Sequence, residues 1–307
     1  MIRFDRGDVG FGRHQTFSLR YGWLSKAFRA VERDPTVLRS DIAIADLGVG
    51  KNMVESMGYW LRACRLVEPS TEVVPTELGQ LIFAHDGVDP YLEDEATIWL
   101  LHWLICSNPT QATSWYWFFN KFHKVEFSTE EIQTALIDYV KDQVKEERQA
   151  SASTLKSDAI LLPRMYSRSS VSKSKPIEDA LDSPFALLGL ISQSGRERFY
   201  SSVPSYRDAL PTEIIGFAVL ELLDALSVES LLVEDLLYSR ADLPAPGSIF
   251  RLTEQALIGK LEQLVDVFPG YFRLDDTAGL HQLFRTQPIS GLEMLRAYYQ
   301  PYIGEVA

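Results

Sequence analysis

Between Asp41 and Phe83 the sequence passes from a short apolar run through a glycine turn into a second amphipathic run, and then into two short extended segments. Few folds accommodate that order. Ile42, Ile44, Ala45 and Leu47 predict a short helix, and Gly48 and Gly50 end it in a turn of the helix-turn-helix kind. A second helix is predicted to start near Asn52. Met53, Met57, Trp60 and Cys64 recur on its inward face, and Asn52, Ser56, Tyr59 and Arg62 on a solvated one. Leu66-Val67-Glu68 and Glu72-Val73-Val74 read as the two strands of a wing, closed behind by residues 75–83. The stretch as a whole predicts a winged helix-turn-helix.

Such a helix lies in a DNA groove when its outer face carries donors and cations. Lys51, Asn52, Ser56 and Arg62 are the groove-facing candidates. Arg13, Arg20 and Lys26 add positive charge from the segment that leads into the unit's first helix, whose apolar side is Phe17, Trp23, Leu24, Phe28 and Val31. A solvated cationic surface is the alternative, because winged helices also dock proteins. His14 stands alone and reads as a hydrogen-bonded structural residue rather than a catalytic one.

Net charge is -12, which opposes nucleic-acid binding unless the charge is segregated. It is segregated: residues 1–65 hold eleven Lys and Arg against seven Asp and Glu, whereas residues 66–150 hold five against fifteen. Residues 151–180 are again basic, five against three. Those two basic segments are the expected electrostatic footprint. At 307 residues and 46% hydrophobic content the chain can bury large cores, with no run of eighteen apolar residues and no signal-peptide core at Met1–Arg6. A cytoplasmic protein without a membrane segment is expected. Cys64 and Cys106 alone allow neither a disulfide framework nor a thiolate zinc site, and both read as free, buried thiols.

Asp86 to Glu95 places five carboxylates in ten residues, ahead of a helix over 96–106. A metal-dependent nuclease needs convergent carboxylates to hold magnesium or manganese, which activates water and screens the phosphate. Asp89, Glu93 and Glu95 are the candidate metal ligands, with His102 as a fourth ligand or proton carrier. The competing reading is that carboxylates at a helix start complement its dipole and solvate the surface. Asp275-Asp276 is a second possible metal position, although ahead of Thr277-Ala278-Gly279 it reads first as a turn.

The aromatic run Trp99, Trp103, Trp115, Tyr116, Trp117, Phe118, Phe119 and Phe122 suits either a core or a base-stacking platform, and the helical spacing favours the core. Ser128-Thr129-Glu130-Glu131 is a capping box opening a helix over 130–147. Residues 149–175 are Ser-rich, begin with one helix over 154–166 and end as a basic, mobile connection. Further on, helices are expected over 211–226, 227–238 and 253–267. Short strands are expected at 249–252 and 270–274, an arrangement that would make a second winged unit. No Gly-rich phosphate loop, nucleophile elbow or nuclease signature is present.

Phe17-Ser18-Leu19-Arg20-Tyr21-Gly22-Trp23-Leu24-Ser25-Lys26, Leu47 to Val54, Asp89 to Asp94 with Trp99 to Trp103, and Asp275 to Leu280 together resemble the SspB-like family over nearly the whole chain. That bacterial family, once a domain of unknown function, occurs in DNA phosphorothioation gene clusters. It includes the nicking subunit of a phage-defence system that replaces a non-bridging phosphate oxygen with sulfur on one strand. The resemblance implies a DNA-acting partner of a cysteine desulfurase, an ATPase and an ATP-pyrophosphatase-like enzyme. It carries no catalytic residues onto this sequence.

The expected fold is therefore mainly α with small β wings, an α+β class. It divides into a winged helix-turn-helix over 1–85, a helical segment with the acidic cluster over 86–148, a basic connection over 149–182 and an α+β unit over 183–307. The expected function is DNA-directed: a metal-dependent DNA-nicking endonuclease, or a non-catalytic adaptor that positions sulfur-transfer enzymes on DNA.

Overall fold

A computed structural model describes residues 2–40, 42–68, 70, 73–168, 183–195, 198–277 and 279–303. Helices α1 (Trp23–Arg33), α2 (Ile42–Leu47), α3 (Lys51–Ala63) and α4 (Glu77–Phe83) open the fold. The turn between α2 and α3 needs Gly48, whose φ of 65° a side chain would strain, and Gly50 precedes the first turn of α3. Two helices and a glycine turn therefore stand where the sequence placed them. α1 packs on α3 and α4, burying Leu24, Phe28 and Val31 together with Met57, Trp60 and Leu61.

Where the two strands of a wing were expected, one isolated antiparallel bridge joins Val67 to Pro75, and the Glu68 amide donates to the Val74 carbonyl at 2.8 Å. Pro69, Thr71 and Glu72 lie outside the described residues. Gly79 fixes this corner, since a Cβ there would stand 2.3 Å from the Leu66 carbonyl oxygen.

Helix α5 (Glu95–Cys106) is buried from Ala96 to Cys106, as a helix that is apolar all round must be. Beside it α6 (Thr113–Lys121) buries Trp115, Tyr116, Trp117, Phe118 and Phe119, so the aromatic run is core and not a platform. Each such side chain contributes roughly 1.5–3 kcal/mol on burial. Asp94 caps α5, its Oδ1 accepting from the Ala96 amide at 2.8 Å.

Two small sheets follow, built alike. The first contains β1 (Glu126–Ser128), β2 (Ser192–Gln193) and β3 (Phe199–Ser201), with β3 in the middle and all pairs antiparallel. Between β1 and β2 run α7 (Thr129–Gln143), opened by the expected Ser128–Glu131 capping box, and α8 (Ala152–Tyr166). The second unit has α9 (Thr212–Leu226), β4 (Ser230–Leu232), α10 (Val233–Leu237), α11 (Pro246–Ile249) and α12 (Glu254–Val267). It continues with β5 (Phe272–Thr277) and β6 (Leu280–Arg285), β6 being central, and α13 (Gly291–Ile303) packs on α9.

Two local expectations change. The segment expected as a helix over 227–238 is interrupted: Ser227, at φ 54°, ends α9, and strand β4 pairs with β6 before α10 begins. The strand expected at 249–252 is instead the end of α11 and a turn in which Arg251 has φ 51°. The end of the basic connection, residues 169–182, lies outside the described residues.

One apolar core runs through these elements from Ile2 to Leu295. Buried polar contacts tie distant parts of the chain across it. Thr97 and Tyr299 share a hydroxyl hydrogen bond of 2.6 Å. Arg251, only 5% exposed, donates to the carbonyls of Phe118 (3.1 Å), Phe119 (3.4 Å) and Phe122 (3.1 Å) and to Ser202 Oγ (3.1 Å). It thus satisfies the open C-terminal carbonyls of α6. Burial pushes its guanidinium down to about 10. The chain is mainly helical with small antiparallel sheets, an α+β fold as expected.

Candidate nucleic-acid interface

The outer side of α3 lines a cleft of about 530 Å³ together with Arg13, Gln15, Leu38, Arg39, Ser70 and Gln111. Helix α3 contributes Val54, Glu55, Gly58, Tyr59 and Arg62. Three elements bring three guanidinium groups here: the N-terminal loop (Arg13), the 3-10 turn Val37–Arg39 after α1, and α3 itself (Arg62). Gly58 makes the approach possible, because a Cβ there would lie 3.3 Å from Leu38 Cδ1 and 3.4 Å from Arg62 Nη1. Arg62 folds back to donate to the Gly58 carbonyl at 3.0 Å, and Arg13 donates to Gln111 Oε1 at 2.9 Å.

The Arg13 loop is held from beneath. His14 is buried, and its Nε2 meets Asp158 Oδ1 of α8 at 2.8 Å. The Thr16 amide donates to His14 Nδ1 (3.1 Å), leaving Nε2 as the protonated nitrogen that donates to the carboxylate. Ser114 Oγ and the Gly12 amide complete the shell of Asp158. His14 is structural, as its isolation in the sequence suggested.

Among the described residues no carboxylate pairs with Arg13, Arg39 or Arg62. The one acid lining the cleft, Glu55, accepts from Gln15 Nε2 at 2.9 Å. Burial, then the like charges of Arg39 and Arg13, hold the Arg62 guanidinium below its usual value. An anion entering the cleft relieves that repulsion, and a phosphodiester matches the planar guanidinium fork.

The residues expected to face DNA divide between three situations. Arg13 and Arg62 meet in the cleft. Lys51 and Asn52 are exposed at the start of α3 outside its lining, Lys26 is exposed on α1, and Arg20 stacks over Phe17 (5.9 Å) and Trp23 (5.3 Å). Ser56 is corrected: it and Tyr59, both read as solvated, are buried, and Ser56 Oγ has no hydrogen-bond partner. Small size, not polarity, explains Ser56, since α3 packs along that side. Arg39 and Gln111 were not singled out in the sequence. Both lie in irregular turns, where periodicity carries no information.

Among the described residues the acidic segment does not bring its carboxylates and His102 together. Asp89, 5% exposed, spends its carboxylate on the Glu93 amide (2.8 Å) and the Asp94 amide (3.2 Å). Glu93 is exposed, and Glu95 accepts from Trp99 Nε1 at 3.1 Å. His102 is in the core, with Nδ1 2.8 Å from Tyr166 OH and Nε2 2.9 Å from the Ile249 carbonyl. Burial drives its imidazole down to about 3 and pushes the neighbouring Cys106 thiol well up. Asp275 and Asp276, read first as a turn, lie instead in β5 opposite Gln282 and His281; Asp275 pairs with Arg273 at 3.1 Å, and Asp276 Oδ1 accepts from the Gly279 amide. Among the described residues no three His, Cys, Asp or Glu side chains come together as metal ligands. The residues named for magnesium or manganese are therefore not gathered at one point among the described residues, and Cys64 and Cys106 are free and buried.

Among the described residues no helix is long and apolar enough to cross a membrane. The model of a family described as "Protein of unknown function (DUF4007)" matches residues 11–299. No curated protein matches the chain. Two solved structures are similar to it, an SspB crystal structure and a magnesium ion-bound SspB crystal structure. Each is 28% identical with a TM-score of 0.83, the match covering 95% of this chain and 88% of that chain.

Proposed function

Because the chain belongs to the DUF4007 family and is similar to SspB over 95% of its length, we propose that it is a DNA-binding component of a bacterial phosphorothioation system. It would act in the cytoplasm with the cysteine desulfurase, ATPase and ATP-pyrophosphatase-like enzyme that the resemblance implies. The observation that carries DNA binding is the cleft where Arg13, Arg39 and Arg62 converge while its single carboxylate is engaged by Gln15. A strongly acidic chain has little reason to gather three unpaired guanidinium groups unless an anion completes the site. Phosphate contacts of this kind position a protein on a duplex without reading its sequence.

Nicking is the second reading, favoured by the likeness to a magnesium ion-bound SspB. Hard oxygen ligands are what magnesium takes. In the acidic segment Asp89 and Asp94 accept from backbone amides and Glu95 from a tryptophan, while Glu93 stands exposed.

One preparation tests both. Fluorescence anisotropy with a duplex should show salt-sensitive binding that Arg39→Glu/Arg62→Glu weakens, and supercoiled plasmid with magnesium or manganese should relax only without chelator. Unchanged affinity in that variant removes the cleft from the reading. Binding without relaxation leaves the adaptor.

A further inference from the structure

The two small sheets share a winding that extends to their helices. In the second unit the order is α9, β4, α10, the one-turn α11, α12, β5, β6, with the first strand beside the third. In the first it is α6, β1, α7, α8, β2, β3, again with the first strand beside the third. Each opening strand runs straight into its next helix: Ser128 ends β1 and caps α7, and Leu232 ends β4 and precedes α10. Helix, strand, two helices and a closing hairpin is the order of a winged helix, in which the third helix enters the groove and the hairpin flanks it. The helices that precede the hairpins, in the place of that third helix once the single turn of α11 is set aside, are α8 and α12.

Their outer faces carry opposite charge. On α12 the exposed positions include Glu254, Gln255, Glu262, Gln263 and Asp266, and the amine of Lys260 is taken by the Leu210 carbonyl at 2.6 Å. That face repels phosphate. On α8 the exposed stripe is Ser153, Lys156, Ile160 and Arg164, spaced as one side of a helix. Its single acid, Asp158, points inward to His14, Ser114 and Gly12. Among the described residues neither Lys156 nor Arg164 has an ion-pair partner. Ile160 is 42% exposed between them, an apolar contact of the kind a recognition helix offers a thymine methyl.

We propose that α8 is a second duplex-contacting helix, with Lys156 and Arg164 on phosphates at either side of a groove, and that α12, the same element in the acidic unit, stays off the DNA. This rests on the DNA-binding reading above but on other residues. Asp158 also braces the loop carrying Arg13, so α8 and the arginine cleft are joined through a buried contact.

The test compares Lys156→Glu/Arg164→Glu with Arg39→Glu/Arg62→Glu, all exposed or cleft-lining positions, on a duplex of about 30 base pairs, or three helical turns, across a salt series. Circular dichroism and thermal melting check that each variant is folded. The α8 variant should lower affinity at least about tenfold and reduce the slope of log affinity against log salt by about 1.8, two phosphate contacts at about 0.9 each. Glu262→Lys on α12 should leave affinity within about twofold, on the same salt-slope reasoning. If the α8 variant keeps both affinity and slope while the cleft variant loses them, the α8 assignment fails and the cleft reading survives. If neither variant changes binding, both fail.

Discussion

Arg65 and Glu221 lie 156 residues apart in the chain and meet in a two-pronged ion pair, Nη1 to Oε1 at 2.7 Å and Nη2 to Oε2 at 3.0 Å. Glu221 Oε2 also accepts from Trp103 Nε1 at 2.6 Å, and Arg65 Nη2 donates to Ser107 Oγ at 2.6 Å. One carboxylate on α9 thus joins the end of the helix-turn-helix to α5.

Replacing Arg65 with Met should cost about 2 kcal/mol, the usual range for charge-assisted hydrogen bonds in a half-buried setting. Urea denaturation reads it directly. Glu221→Gln should cost less, because the amide keeps an acceptor for Trp103. A change below about 0.5 kcal/mol for Arg65→Met would show that the pair is only a surface contact.

Arg251 presents a sharper case. Arg251→Met leaves the carbonyls of Phe118, Phe119 and Phe122 without a donor in the core, at about 1 kcal/mol each, so roughly 3 kcal/mol in total. Arg251→Lys, with one amine for three acceptors, should recover only part of this. Thermal melting of the two variants beside the parent protein gives the order, and equal melting temperatures would contradict the capping role.

His102 makes stability depend on pH. Its folded-state value, about 3, lies below the usual 6.5 because the ring is buried. The unfolded chain therefore binds the proton first, and stability is fully present above about pH 6.5 and declines as pH falls toward 3. Denaturation midpoints between pH 7 and 4 should fall more steeply for the parent than for His102→Gln. An imidazole NMR signal from His102 titrating near 6.5 would rule this out.

Glu93→Ala/Glu95→Ala should leave any magnesium-dependent plasmid relaxation intact, since Glu95 is held by Trp99, Glu93 is exposed, and no third ligand joins them among the described residues. Asp89→Ala should instead destabilise the start of α5 by about 2 kcal/mol through the freed Glu93 and Asp94 amides. Loss of relaxation in the Glu93/Glu95 variant, with binding preserved, would restore the acidic segment as the metal site.

The pair α2 and α3 was legible because its signals are local: two glycines, a 3.6-residue apolar period, and a turn that Gly48 enters without strain. The capping box at Ser128 was legible for the same reason. What escaped depends on partners far away in the chain. Strand β4 is three residues long and exists because β6, some fifty residues later, pairs with it. Arg39 joins Arg62 only after α1 and α3 pack, and Ser56 looked solvated although its side of α3 is covered. Glu95 and His102 share a helical face in projection, but α5 is enclosed on every side beyond its first residue, so a shared face did not mean a shared site.

The contact between His14 and Asp158 bears on how this protein can be taken apart. The loop that carries Arg13 is anchored on a carboxylate more than 140 residues downstream, and Gln111 holds the same arginine from a third segment. A fragment cut after the helix-turn-helix would keep α3 but lose both supports. The arginine cleft is therefore not a property of the first four helices alone; its assembly draws on residues as far along as Asp158.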